Sequence, residues 1–167
     1  MVGIDVSKTM IEIAKKYFPK ANYFEMCVSN LKFEDETFNL VVCKDSFHHF
    51  AKPVKALKEM YRVTKRGGTV YITDLRRDSS SEVICQVIQA IAQDNLKNAM
   101  QYVDSIRASY TIDEMKNLLR KAKIKSYRIW TPRITKNFCK EYNINPSYFL
   151  LAANYFRDRW TLLIKKI

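Results

Sequence analysis

Acidic, basic and imidazole side chains fall in short clusters along this chain, and each cluster follows an apolar stretch. Asp5 closes Val2-Gly3-Ile4-Asp5. Lys44-Asp45-Ser46 and His48-His49 follow the run Phe38–Cys43, and Asp74-Leu75-Arg76-Arg77 follows Thr69–Thr73. A carboxylate at a strand end can accept two hydrogen bonds from vicinal hydroxyls of a sugar. Imidazole titrates near neutrality, so His48 or His49 can take a proton from a hydroxyl or amine. Asp45 can orient a substrate or act as a base. Arg76 and Arg77 can clamp a carboxylate or phosphate. Each cluster also has a plainer reading. Asp5 can cap the helix that follows, the histidines can pack at a helix entry, and the arginines can sit in a solvated loop.

These clusters need elements to position them. Val2–Asp5 reads as a strand, and Ser7 can N-cap a helix over 8–18 with Met10, Ile11, Ala14, Tyr17 and Phe18 on its apolar side. Asn22–Met26 is the next strand. Asp35-Glu36-Thr37 is a turn, and Phe38–Cys43 is continuously apolar, as expected of a strand buried on both faces. Pro53 opens a helix over 53–64 with Val54, Leu57, Met60 and Tyr61 inward; Gly67-Gly68 ends it, and Thr69–Thr73 is a strand. Helical periodicity runs through 81–104, and Thr111 with Glu114 forms a capping-box pattern ahead of a helix over 112–122. Lys125–Thr131 and Trp160–Lys166 read as strands, separated by an aromatic-rich insert over 132–158. Alternating strands and helices predict one α/β domain over 1–167. In open sheets of this kind ligands bind beyond the carboxyl ends of the strands, where the clusters fall.

Composition narrows the function classes. The chain is 47% hydrophobic with only four prolines, which argues against disorder. No apolar run is long enough to span a bilayer, and Met1–Asp5 lacks the features of a signal peptide, so a cytoplasmic location is expected and a membrane partner is not. Cys27, Cys43, Cys85 and Cys139 form no C-x-x-C pair and no zinc pattern, so they read as reduced thiols and no metal is expected. The net charge of +12 is uneven, with +4 in residues 1–80 and +8 in residues 81–167. An anionic substrate, a nucleic acid or an acidic partner would suit it. Nucleic acid is not favoured, because the basic residues are dispersed rather than interleaved with aromatics.

Four segments in order carry a family resemblance: Val2-Gly3-Ile4-Asp5-Val6-Ser7, Leu31 through Cys43, Phe47-His48-His49-Phe50, and Tyr61 through Ile72. Together they resemble the class I S-adenosylmethionine-dependent methyltransferases of small molecules, from the second strand of that fold onward. The resemblance implies a Rossmann-like sandwich whose sheet is mostly parallel with an antiparallel last strand. It implies S-adenosylmethionine as cofactor and a small-molecule substrate. It places Asp5 on the ribose, Val6 against the adenine, and Cys27 with Val28 where the family often has an acidic residue for the adenine amino group. A thiol is a poor acceptor for that amine, which leaves the neighbouring backbone to serve it. Lys44 joins the cofactor-binding set at the mouth of the site. Asp45 and His49 are the candidate catalytic residues, and Arg76, Arg77 and Tyr110 the candidate substrate residues.

The chain holds only three glycines, Gly3, Gly67 and Gly68. The glycine-rich loop of the family is not among its residues, nor are the first strand and first helix. The expectation is therefore a truncated form, or a homodimer that covers the exposed sheet edges. An alternative is a catalytically inactive module of the same fold, contacting protein or RNA through its basic second half. A second strand paired directly with the fourth would remove the need for a strand between them.

Overall fold

The computed structural model describes residues 1–131 and 158–167. In chain order the elements are β1 (Val2–Asp5), α1 (Lys8–Tyr17), β2 (Asn22–Glu25), β3 (Phe38–Lys44), a 3-10 turn (Phe47–His49), α2 (Pro53–Val63), β4 (Thr64–Leu75), α3 (Ser81–Asp94), α4 (Leu96–Ala108), α5 (Ile112–Lys121), β5 (Tyr127–Trp130) and β6 (Arg159–Lys165). The proposed insert over 132–158 lies outside the described residues except at Asp158.

Two sheets form. β1 and β2 pair in parallel, with Val2 opposite Asn22 and Asp5 opposite Glu25. The second sheet has the order β3-β4-β6-β5. There β3 and β4 are parallel, with Lys44 opposite Thr73, while β6 runs antiparallel to both β4 and β5. The second and fourth expected strands are β1 and β3, and they are not hydrogen-bonded to each other: each is an edge among the described residues.

Local chemistry explains the helices. The Ser7 hydroxyl caps α1 by accepting from Met10 N, and Pro53 sits in the first turn of α2. α5 has the full capping box: Thr111 Oγ1 accepts from Glu114 N at 3.1 Å, and Glu114 Oε2 accepts from Thr111 N at 2.9 Å. The single periodic stretch predicted for 81–104 is two helices. Asn95 divides them, donating its backbone N–H to Ile91 O to end α3 while its side chain accepts from Asn98 N to open α4.

The core lies on one face of the four-stranded sheet. Val70, Ile72, Trp160, Leu162 and Ile164 from the strands meet Phe47, Leu57, Met60, Met115 and Leu119, all fully or almost fully buried. Filling that space supplies the main favourable term in folding. The β1–β2 sheet reaches this body through the loop between β2 and β3. Arg62 on α2 donates to Phe33 O at 2.8 Å, Leu31 O at 3.0 Å and Asp35 at 2.8 Å, while Glu59 pairs with Arg62 and accepts from Leu31 N at 2.9 Å. Phe33 stands edge-on between Phe24 of β2 and Phe38 of β3.

Three expectations are corrected. β3 is not buried on both faces: Leu40 and Val42 are 58% and 59% exposed, because β3 is an edge strand with one side chain row uncovered. On α1 only Ile11 is buried, and Met10, Tyr17 and Phe18 face outward. Gly67-Gly68 does not end α2. The helix stops at Val63, and both glycines lie within β4, where the register against β3 shifts between Phe38 and Leu40.

The two glycines do different work. Gly67 has φ 73° and open space around its Cα, whereas a Cβ on Gly68 would lie 2.8 Å from Lys65 O and 2.9 Å from Asn39 O. Gly67→Ala should cost about 1 kcal/mol for the left-handed backbone. Gly68→Ala should cost more, roughly 2–3 kcal/mol, because backbone must move to admit the methyl. Urea unfolding of both variants checks the order; equal losses would contradict this account of β4.

Candidate functional site

The sequence clusters emerge at strand carboxyl ends, as the α/β reading requires. Asp5 ends β1, and its Oδ1 accepts from Ser7 N at 2.7 Å. That bond fixes the carboxylate while the residue stays half-buried, with Val6 beside it 67% exposed. Beyond β2, Met26 N donates to Asp5 O at 2.8 Å, and the exposed Cys27 thiol lies 3.2 Å from Ser29 Oγ. The Ser29 hydrogen bonds lower the Cys27 pKa, with help from the charges of Lys52 and Lys55. Val28 turns the other way and packs against the core.

After β3 the backbone turns sharply at Asp45, whose φ of 52° is left-handed, a conformation Asp tolerates better than most residues. Its amide still continues the ladder by donating to Thr73 O at 3.0 Å. Its carboxylate pairs with Arg159 at the start of β6 and lies 3.7 Å from the Lys44 ammonium. The turn then buries Phe47 and His48 and leaves His49 exposed.

Asp74, fully buried at the end of β4, holds this turn. Its Oδ2 accepts from His48 N at 2.9 Å, and its Oδ1 accepts from Leu75 N at 2.8 Å and faces His48 Nδ1 at 2.7 Å. The His48 and His49 rings lie 3.9 Å apart. Desolvation first, then the neighbouring His48, lowers the His49 pKa. Cys43, close behind, has its thiol pushed up to about 12 by burial, with Asp74 and Asp45 adding to the effect, so it is an inert core residue.

Asp158, Arg159 and Tyr102 complete this end of the sheet. The Tyr102 hydroxyl of α4 donates to Asp158 Oδ2, and Arg76 N donates to Asp158 O at 2.7 Å. Asp158 is fully buried, and burial raises its carboxyl to about 6 against the lowering effects of Tyr102 and Arg159. Sequence reasoning did not single these residues out. The available signal was an Asp-Arg pair running directly into the apolar strand Trp160–Ile164.

A profile described as a methyltransferase domain matches residues 1–72, the span that carries β1 through most of β4. Over these residues the chain is similar to the class I methyltransferases. A demethylmenaquinone methyltransferase of Paenarthrobacter aurescens (strain TC1) is 31% identical over 118 residues, covering 65% of this chain and 47% of that protein. One from Streptomyces avermitilis is 31% identical over 132 residues, covering 73% of this chain and 57% of that protein. The chain thus spans about half the length of the curated relatives it matches. Among solved structures, the plantazolicin methyltransferase BpumL, in complex with a triazolic desmethylPZN analog and SAH, superposes with a TM-score of 0.69 at 20% identity, covering all of this chain and 67% of that one. The YcgJ protein of Bacillus subtilis superposes with a TM-score of 0.59 at 18% identity, covering 99% and 82%. The fold is the Rossmann-like methyltransferase sandwich, and the family's cofactor is S-adenosylmethionine.

Within this methyltransferase fold the sequence candidates divide into groups. Asp5, Val6 and Cys27 share the open end of the β1–β2 sheet. Lys44 ends β3, and the partly exposed Asp45 and exposed His49 lie in the turn after it. Arg76 and Arg77 do not stand free: Arg76 binds Asp78 at 2.9 Å and Thr131 at 2.7 Å, and Arg77 binds Glu114 and Ser109 O. Tyr110 is half-buried against Phe47, with ring centroids 5.7 Å apart, and desolvation raises its pKa. Among the described residues no cluster of three or more His, Cys, Asp or Glu side chains suits a metal ion, and no helix is long and apolar enough to cross a membrane.

Asp158 makes stability depend on pH in a definite sense. Its folded pKa, about 6, lies above its ordinary 3.8, so the folded state binds the proton more tightly. The resulting stability is fully present below pH 3.8 and is lost as pH rises through about 6. The loss should approach roughly 3 kcal/mol. Asp158→Asn should therefore flatten the stability profile between pH 4 and about 6.5. Chemical denaturation at several pH values measures this, and parallel profiles for the two proteins would contradict the assignment.

Proposed function

We infer that the chain binds the adenosyl part of S-adenosylmethionine at the open end of β1–β2 and serves methyl transfer to a small-molecule acceptor. The observation that carries the reading is the state of Asp5. One carboxylate oxygen is fixed by Ser7 N at 2.7 Å, which leaves Oδ2 for the ribose hydroxyls. Val6 presents an exposed apolar surface beside it, suited to an adenine face. Cys27 and Val28 follow β2 on the adenine side, and Lys44 ends β3.

These residues fit the adenosine half of the cofactor, which when bound supplies an electrophilic methyl group. The chain's own part is alignment, because a displacement at a sulfonium methyl depends on orientation more than on strong acid–base catalysis. The turn after β3 would present Asp45 and His49 to the acceptor. A lowered His49 pKa suits a ring that is neutral, and therefore able to accept a proton, at neutral pH. The relatives named for demethylmenaquinone favour a quinol-type acceptor. The edges of β1 and β3, with exposed Leu40 and Val42, favour a homodimer as the assembled form.

Calorimetric titration with S-adenosylhomocysteine tests the reading. Micromolar binding is expected, weakened about tenfold or more in Asp5→Ala by loss of hydrogen bonds to the ribose. Asp5→Asn should fall between, since it keeps one oxygen. The absence of binding at millimolar ligand, or binding indifferent to Asp5, would refute the adenosyl site.

A further inference from the structure

Basic residues that lie far apart in the sequence meet at one end of the four-stranded sheet. β3, β4 and β5 start at that end and β6 finishes there, because β6 runs antiparallel to both β4 and β5. Backbone hydrogen bonds join these strand ends into one band. Lys123 N donates to Arg120 O at 3.0 Å where α5 stops, and Lys165 N donates to Ser126 O at 3.2 Å, which sets Lys125 beside Lys165. Gly67 N donates to Lys166 O at 2.8 Å and Lys166 N to Gly68 O at 3.1 Å, which carries the band on to Lys65 and Arg66. Lys65, Lys121, Lys123, Lys125 and Lys165 are exposed, and their ammonium groups make no ion pair among the described residues. Of the three carboxylates ahead of β3, Asp35 pairs with Arg62, and Glu36 with Arg66 and Lys166.

Two general reasons place lysines on a surface. In the last turn of a helix they favour its dipole, which accounts for Lys121. Solubility is served by charges of both signs interspersed. Neither reason accounts for a band of one sign across three strand ends. Ammonium groups gathered in this way repel one another, and a polyanion relieves the repulsion. The rest of the surface selects among polyanions. An acidic protein would need an apolar patch at the centre of its interface. Here the large apolar side chains exposed within the band are Tyr127 and the terminal Ile167. A tyrosine beside cations suits stacking on an unpaired base instead. The band consists of strand ends and the close of α5, so among the described residues nothing projects to enter a duplex groove. Bases splayed from the stack are the form that single-stranded RNA presents.

We propose that this band binds single-stranded RNA, with phosphates on Lys65, Lys121, Lys123, Lys125 and Lys165 and a base stacked on Tyr127. The site stands apart from the methyl-transfer reading above. Neighbouring strand ends lie about 5 Å apart, and the long lysine stems let their charges follow a backbone that crosses them. Contacts of this kind position a strand and carry little sequence preference. Asp45 and His49 lie at the other end of the sheet, separated by the length of β3, roughly 20 Å. RNA and cofactor therefore occupy the protein together without competing.

The test is fluorescence anisotropy of a labelled uridine oligomer of about 16 nucleotides, titrated with the whole chain at several salt concentrations. Micromolar binding is expected at about 50 mM salt. With five phosphates neutralised, log affinity should fall against log salt with a slope of about −3.5. Combined Lys121→Gln, Lys123→Gln and Lys125→Gln should weaken binding about tenfold or more and reduce the slope by about 2. Combined Lys52→Gln, Lys55→Gln and Lys58→Gln removes equal charge from the first turns of α2, which run toward β4 from the other end. That control should stay within about twofold of the parent. Tyr127→Ala should cost about fivefold by loss of stacking. S-adenosylhomocysteine should not displace the oligomer. No binding at low salt, equal losses in the two triple variants, tighter binding of deoxythymidine DNA or of duplex RNA, or equal competition by polyglutamate would overturn the proposal. Failure to bind S-adenosylhomocysteine would instead defeat the methyl-transfer reading and leave the RNA surface standing.

Discussion

A carboxylate sealed from water must have its oxygens matched by donors, and Asp74 meets that demand entirely from a short turn and its own strand. Removing a carboxylate from water costs several kcal/mol unless hydrogen bonds replace the lost solvent. At Asp74 the replacements are His48 N, His48 Nδ1 and Leu75 N. The demand fixes more than one side chain. It holds the turn Phe47–His49 against the end of β4, which seats Phe47 in the core beside Trp160 and Tyr110. It also sets where the chain enters α2. The carboxyl ends of β3 and β4 thus become one rigid unit, although the turn itself is too short to hold any shape alone.

The β1–β2 sheet depends on a different device. No ladder joins it to the larger sheet among the described residues, so its position relies on the loop between β2 and β3. Arg62 reads that loop through two backbone oxygens and a carboxylate, and Glu59 orients Arg62 through a bidentate pair. The shared pairing lowers the Glu59 pKa and raises that of Arg62. A planar fork that donates in several fixed directions suits this task, and a lysine in its place would not. A clasp of this kind positions Asp5 and Cys27 without burying much surface between the sheets. The apolar side chains of β3 and α1 that face outward are the counterpart of that economy.

The sequence reveals some features more clearly than others. Periodicity, caps and strand-end residues read directly, because they are local: Ser7, Pro53 and the Thr111–Glu114 box each act within one turn. Strand β3 misled, because an unbroken apolar run is the same whether both faces are covered or one row faces outward. Gly67-Gly68 misled for a related reason. A glycine pair after a helix usually marks its cap, but here Gly68 answers to the backbone of Lys65 and Asn39, a contact fixed by sheet pairing. The pairing of His48 with Asp74 spans 26 residues and that of Asp45 with Arg159 spans 114, so no window along the chain could show either.

Those two pairings explain how acidic residues after adjacent parallel strands come to differ. Asp45 sits in a left-handed turn, partly exposed, and shares its charge with a guanidinium and a nearby ammonium. Asp74, on the neighbouring strand, has no exposure and meets only N–H donors and one imidazole. The first environment keeps a carboxylate available to solvent and ligand. The second removes the carboxylate from reach and uses it to hold the turn Phe47–His49 against the end of β4. Environments that differ this much are how one fold assigns separate roles to chemically identical groups. The assignment here follows from strand geometry. Asp45 leaves β3 by turning back toward Arg159 at the start of β6, whereas Asp74 remains in the β4 ladder opposite Trp160 and points into the core face, where two backbone amides and a buried imidazole meet it.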